Sequence, residues 1–252
     1  MSTGSNPSLP LVLLHGWGMN AAVWDGLPPQ LGGLPIQTIE LPGHGARTPA
    51  RADLWAWADA CLEAAPEEAV WLGWSLGGLV AQAAALRAPK RVRGLIQLTA
   101  TPRFVQAADW RPAMAEETLG QFHQGLLDDP SGTLSRFLAL QVRGSDAARE
   151  TLRTLRQELT TRPEPDPRAL ADGLDLLRDE DLRGQLPDIA CPALWLFGSH
   201  DALVPAAVAE RIELIMPGAR TQVIAGAAHA PHISHRRETL TAIEGFVAEA
   251  LG

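Results

Sequence analysis

Apolar residues in this chain come in short unbroken runs, separated by longer stretches in which they recur every three or four positions. The first run, residues 11–14 (Leu-Val-Leu-Leu), ends in His15-Gly16-Trp17-Gly18. A short apolar run bounded by turn residues predicts a buried strand entering a tight loop. Residues 36–41 make a second strand, closed by Pro42-Gly43-His44-Gly45, and 54–65 have helical spacing as far as Pro66. A third strand, 69–72, leads into Gly73-Trp74-Ser75-Leu76-Gly77-Gly78. The alanine-rich stretch 79–88 predicts a helix that Pro89 stops. Strands at 92–98, 193–197 and 221–224 and a closing helix at 240–251 complete the series.

Strands alternating with helices imply an α/β protein with a mostly parallel sheet covered on both faces. The alternation fails between about residues 110 and 183, where helical segments follow one another without a strand. That places a helical cap, 110–183, within a core made of 1–109 and 184–252. An insertion after the fourth strand lies over the carboxyl end of the sheet, where open α/β sheets bind ligands. Pro163, Pro165 and Pro167 alternate within 162–168 and predict a stiff connection between cap helices.

Composition narrows the chemistry. With 252 residues the chain can bury a large core as one α/β domain. A net charge of −8 argues against a general nucleic-acid role, since phosphate backbones are bound by positive charge. Cys61 and Cys191 lie in apolar settings without metal-ligand spacing and are expected to be buried thiols. Residues 1–10 lack the basic and apolar regions of a signal peptide, and no stretch has the roughly 20 apolar residues of a membrane span. The expectation is a cytoplasmic monomer without metal or cofactor.

The Gly-x-Ser-x-Gly string at 73–77 carries chemical meaning because a strand precedes it and a helix follows. A serine on so sharp a turn needs neighbours without a Cβ, and the helix N-terminus behind it favours developing negative charge. Serine is a weak nucleophile and needs a base. In chains of this kind the order is Ser, then Asp or Glu, then His. His15, His44 and His123 precede the last strand and fit that order poorly. His229, His232 and His235 follow it, and His229 comes first after the turn at Gly226. Asp201, just past the strand at 193–197, is placed to orient the base, with His200 beside it as a surface or supporting residue. Ser75, Asp201 and His229 are thus the expected catalytic triad. The amides of Leu76 and Trp17 are the expected oxyanion donors. The Trp17 ring either walls an acyl pocket or packs in the core.

Together, Leu-Val-Leu-Leu-His-Gly-Trp-Gly, Leu-Pro-Gly-His-Gly, Trp-Leu-Gly-Trp-Ser-Leu-Gly-Gly-Leu-Val, Arg-Phe-Leu-Ala-Leu-Gln and Ala-Ala-His-Ala-Pro-His-Ile-Ser-His resemble the pimeloyl-[acyl-carrier-protein] methyl ester esterases of biotin synthesis, serine carboxylesterases with the α/β-hydrolase fold. The resemblance runs from about residue 11 to the C-terminus. It implies hydrolysis of the methyl ester of a pimeloyl chain on acyl carrier protein, with release of methanol. It also implies that Phe137, Leu138, Ala139, Leu140 and Gln141 line an acyl channel, and that Trp17 and Leu76 hold substrate. Two departures stand out. The segment before residue 11 is short, so the family's first strand pair is expected to be reduced or absent. Gly132 stands where some relatives carry a basic residue.

The cap has its own charge signature. Across 136–162, Arg136, Arg143, Arg149, Arg153, Arg156 and Arg162 stand against Asp146, Glu150 and Glu158, a local +3 in a chain of −8. Arg149, Arg153 and Arg156 fall at i, i+4 and i+7 on one helical face, with Leu152, Leu155 and Leu159 on a separate, core-facing stripe. These arginines and Arg136 either dock an acidic, phosphopantetheine-bearing carrier or form a solvated face. An esterase or lactonase for small free esters, or a ligand receptor on the same fold, would share the triad.

Overall fold

The computed structural model describes residues 9–250. Strand β1 (Leu11–Leu14) runs through a 3-10 turn at Ala21–Trp24 to β2 (Gln30–Leu31) and β3 (Leu34–Ile39). Then come α1 (Leu54–Ala64), β4 (Ala69–Trp74), α2 (Leu76–Arg87) and β5 (Val92–Leu98). Four helices follow without an intervening strand: α3 (Glu116–Asp128), α4 (Pro130–Gln141), α5 (Ala148–Leu159) and α6 (Pro167–Asp179). The chain re-enters the sheet as β6 (Ala193–Gly198) and continues through α7 (Val208–Ile215), β7 (Arg220–Ile224), α8 (Pro231–Ser234) and α9 (Arg236–Ala250).

The sheet has seven strands in the order β2-β3-β1-β4-β5-β6-β7, every pairing parallel except β2 with β3. Sequence periodicity predicts six strands. The additional one, β2, is two residues long, too short to leave a periodic signal, and pairs with β3 across Gly32 and Gly33. The expectation about a family-typical first strand pair falls partly on residues 1–8, outside the described residues, as does residue 251 of the closing helix.

Side-chain alternation splits the core into two layers. In β1, Val12 and Leu14 join one cluster with Trp57, Leu79 and Ile212, and Leu11 and Leu13 join the other with Ile243 and Phe246. Helices α1, α2 and α7 therefore cover one face and α9 the other. Helix α2 is buried from Leu76 through Ala85, which its glycines and alanines permit. The inserted helices start where the chain supplies caps: Asp129 accepts from the Gly132 N–H before Pro130, and Asp166 from the Arg168 N–H before Pro167. A Cβ at Gly132 would collide with that Asp129 carboxylate, so a basic side chain here would require a different cap. Cys61 is fully buried but Cys191 is only half-buried, a correction to the expectation of two buried thiols. Burial raises both, Cys61 to about 12 and Cys191 to about 11, so neither is a ready thiolate. Among the described residues no helix is long and apolar enough to cross a membrane.

Candidate active site

Strand β4 ends at Trp74 and α2 begins at Leu76, so Ser75 alone makes the reversal. Its backbone has φ 55° and ψ −119°, a conformation L-residues avoid. Two close approaches explain the flanking glycines. A Cβ on Gly73 would strike the Gly77 backbone, and one on Gly77 would lie 2.5 Å from the His15 carbonyl oxygen and 2.6 Å from that of Leu14.

The turn brings Ser75 to the loops after β6 and β7. Its Oγ lies 2.8 Å from His229 Nε2, and His229 Nδ1 lies 2.7 Å from Asp201 Oδ2. The other Asp201 oxygen accepts from the amides of Leu203 at 2.8 Å and Val204 at 3.0 Å. Those two amides fix the carboxylate, which then orients the ring, and all three side chains are buried. The geometry suits transfer of the serine proton to Nε2 while the carboxylate steadies the resulting imidazolium. The Trp17 and Leu76 amides have no acceptor among the described residues, as donors for an oxyanion require.

The backbone of His229 is held too. Its carbonyl accepts from Trp74 Nε1 at 2.7 Å and from Thr99 Oγ1 at 2.8 Å, and its N–H donates to the Gln141 carbonyl at 2.9 Å. No local pattern in the sequence marks Trp74 or Thr99 for this contact. Their partner is 155 and 130 residues away, respectively.

The remaining histidines have other surroundings. His15 Nδ1 bonds the Gly16 carbonyl at 2.9 Å, and its Nε2 lies 3.0 Å from Glu40 Oε2. Burial alone would raise Glu40, but His15, the Ala21 amide and His44 together outweigh it, and Glu40 sits below the ordinary carboxylate value. His123 stands by Asp175 on α6, and His200 is exposed. His44 packs at 5.1 Å from His15, and His232 is held between Trp24 and Trp74 at 4.7 Å from each. Burial chiefly pushes both His44 and His232 down to about 3, with His15 repelling the first and His229 the second. In the unfolded chain each titrates near 6.5. Between those values the unfolded state binds protons that the folded state refuses. Stability is therefore fully present above about pH 6.5 and declines as pH falls toward 3, by about 1.4 kcal/mol per pH unit per histidine. From pH 7.5 to 5.5 the two together should cost about 3 kcal/mol. Urea unfolding at both pH values checks this, and a midpoint that does not move would show that the native chain accepts the protons.

The inserted helices close the site from above. The Trp17 ring is fully buried, donates Nε1–H to the Leu170 carbonyl at 2.8 Å and meets the Phe137 ring edge-on at 4.7 Å. Phe137, Leu138 and Gln141 are buried, and Gln141 leaves both its amide atoms without a partner. Ala139 is exposed and Leu140 only half-buried. The expectation that all five residues line one channel is corrected on this point. Five successive helical residues span more than a full turn, so Ala139 faces away. A cavity of about 630 Å³ opens beside Leu134, Leu138, Leu159 and Leu170, with Arg156 and Arg162 among its polar lining. Its inner wall approaches the loop that bears Trp17, since a Cβ on Gly18 would lie 2.6 Å from a Leu134 methyl.

The family model for the alpha/beta hydrolase fold matches residues 10–236. The chain belongs to the α/β-hydrolase family. Within it, the chain is 45% identical over 239 residues to a pimeloyl-[acyl-carrier protein] methyl ester esterase of Photobacterium profundum, covering 94% of each protein. It is likewise 45% identical to one so named from Stenotrophomonas maltophilia, over 98% of this chain and 95% of that one. Among solved structures, an esterase from Exiguobacterium antarcticum superposes with a TM-score of 0.84 at 22% identity, over 96% of this chain and 92% of the other. An enol-lactonase from Burkholderia xenovorans reaches 0.79 at 20% identity, over 98% and 94%. At those identities the structural likeness speaks for the fold. This α/β-hydrolase keeps its buried Ser-His-Asp arrangement at the carboxyl end of the sheet.

Proposed function

We propose that this chain is a cytoplasmic serine carboxylesterase that hydrolyses the methyl ester of a pimeloyl chain carried on acyl carrier protein. The observation that carries the hydrolysis is the relay from Ser75 Oγ to His229 Nε2 and on to Asp201. The substrate rests on near-full-length similarity to esterases so named. As Ser75 attacks the ester carbon, its proton passes to His229, and the new oxyanion meets the amides of Trp17 and Leu76. The intermediate collapses as His229 returns the proton to the departing methoxy group, releasing methanol. Water, activated by the same histidine, then frees the carboxylate from Ser75.

The apolar cavity supports an acyl guest. Its volume falls in the roughly 300–1,000 Å³ range of small-ligand sites, and its leucines suit a methylene chain. The carrier would sit outside, where Arg149, Arg153 and Arg156 are exposed along α5. Arg136 is bonded to Thr133 and faces Asp129 at 3.7 Å, Arg153 faces Glu150 at 3.8 Å, and Arg156 donates to Ser135 at 3.3 Å. Changing Arg149 or Arg153 to Glu should lower kcat/KM for the carrier-bound ester about tenfold, through KM, and leave a small free ester within about twofold. The deficit should shrink as salt is raised, since exposed charges are screened over about 10 Å at 0.1 M. Equal losses on both substrates would assign the helix to the fold. No loss on either would favour the small-ester reading.

A further inference from the structure

The loop bearing His229 follows the edge strand β7, yet its carbonyl is tied to the middle of the sheet. Trp74 closes β4 and Thr99 directly follows β5, and each sends one donor to that oxygen. Both residues are fully buried. Thr99 is also a conformational exception. Its φ is +43°, and Ser75 is the other non-glycine residue with a positive φ among those described. A branched side chain is disfavoured in this region, whereas glycine enters it freely. What threonine has and glycine lacks is a hydroxyl, and that hydroxyl donates to His229. The Thr99 amide is separately bound to the Leu196 carbonyl at 2.7 Å, which anchors the residue to β6.

We propose that Thr99 and Trp74 are positioning residues for His229. Hydroxyl and indole jointly hold the carbonyl of the base and so set where its Nε2 meets Ser75. The inference rests on the reading of His229 as the base. Neither residue moves a proton in the reaction. Loss of either donor frees the carbonyl to turn toward the one that remains, and removal of both leaves it unpaired, so that the loop shifts further. A displacement near 1 Å at a catalytic group is enough to lose about 100-fold in rate.

The test uses a small free ester, so that carrier docking is not involved, with Thr99→Val, Thr99→Ser, Thr99→Gly, Trp74→Phe, the Thr99→Val/Trp74→Phe double variant and His229→Ala. Thr99→Val and Trp74→Phe should each lower kcat about tenfold with KM within about twofold, and the double variant should lose more than the product of the two. Thr99→Ser should recover to within about threefold of the parent. Thr99→Gly should unfold no more easily than Thr99→Val yet be as slow, because relief of the backbone does not restore the hydroxyl. The idea is overturned if Thr99→Val keeps its kcat, if Ser is as slow as Val, or if Gly is as fast as the parent. It is also overturned if the losses appear in KM or stability alone. Because Trp74→Phe also disturbs packing on Trp24 and His232, the serine rescue is the deciding arm. His229→Ala tests the underlying reading separately: an active His229→Ala removes His229 as base, whereas an inactive one beside a full-speed Thr99→Val defeats only the positioning role.

Discussion

Ser75→Ala is expected to lower kcat by about 10⁶, with Asp201→Asn lower by about 10⁴ and the double variant no worse than Ser75→Ala alone, because the members of such a triad act as a unit. The asparagine effect follows from the geometry around Asp201. One of its oxygens accepts two backbone amides, from Leu203 and Val204. An asparagine there would turn its carbonyl oxygen toward those amides and its NH₂ toward His229. Nδ1 would then have to accept, and the ring proton would sit on Nε2, facing Ser75, where a lone pair is needed. The variant should fold normally and still bind substrate, with KM within about threefold, as expected when only transition-state stabilisation is removed. Steady-state hydrolysis and labelling with a fluorophosphonate check both. Residual turnover above about one-hundredth of the parent in Ser75→Ala, or labelling at the parental level, would remove Ser75 from the mechanism.

Gly77→Ala should be among the most damaging single-methyl changes, with Gly73→Ala and Gly198→Ala, because at each the added carbon meets backbone. On Gly77 it would lie 2.5 and 2.6 Å from the carbonyl oxygens of His15 and Leu14. Neither can yield freely, because Leu14 is paired with Gly73 on β4 and with Ile39 on β3. Overpacking in a core usually costs about 1–3 kcal/mol, and contact with fixed backbone places this case at or beyond the upper end. Activity should fall further than stability, since His15 and Gly16 lead into Trp17 and any retreat displaces the amide proposed to hold the oxyanion. Gly120 in α3 is the matched control. No atom lies within 4 Å of its Cβ position, so alanine there should stabilise by about 0.5–1 kcal/mol. Denaturant midpoints of the two variants decide the matter. A Gly77→Ala protein as stable as the parent would mean that α2 and β1 do not approach as closely as the geometry requires.

The positions of strands and helices were legible because each depends on local pattern. A run such as 11–14 is apolar at every position because both faces of β1 are covered, and Pro66 and Pro89 mark their own stops. The strand-turn-helix about Ser75 was equally local, since its steric demand falls on Gly73 and Gly77 themselves. Chain order was enough to choose Asp201 and His229. Misreadings arose where a feature was too short for periodicity, as in β2, or where a string was taken as a unit, as at 137–141, although helical geometry turns Ala139 outward.

By itself, then, the sequence determined the alternating order of elements and the insertion after β5, and it pointed to the three side chains that the structure brings together at Ser75, since each of these follows from neighbours in the chain or from their order. Tertiary structure alone decided how they meet. The 2.7 and 2.8 Å contacts of His229, the two donors on its carbonyl and the bond from its amide to Gln141 join positions from 28 residues away, at Asp201, to 155 residues away, at Trp74. The same holds for the cavity among Leu134, Leu138, Leu159 and Leu170, which lies between α4, α5 and α6. Such contacts leave no periodic trace, because a hydrogen bond or a cavity wall depends on where packing places two side chains and not on what lies beside each in the chain.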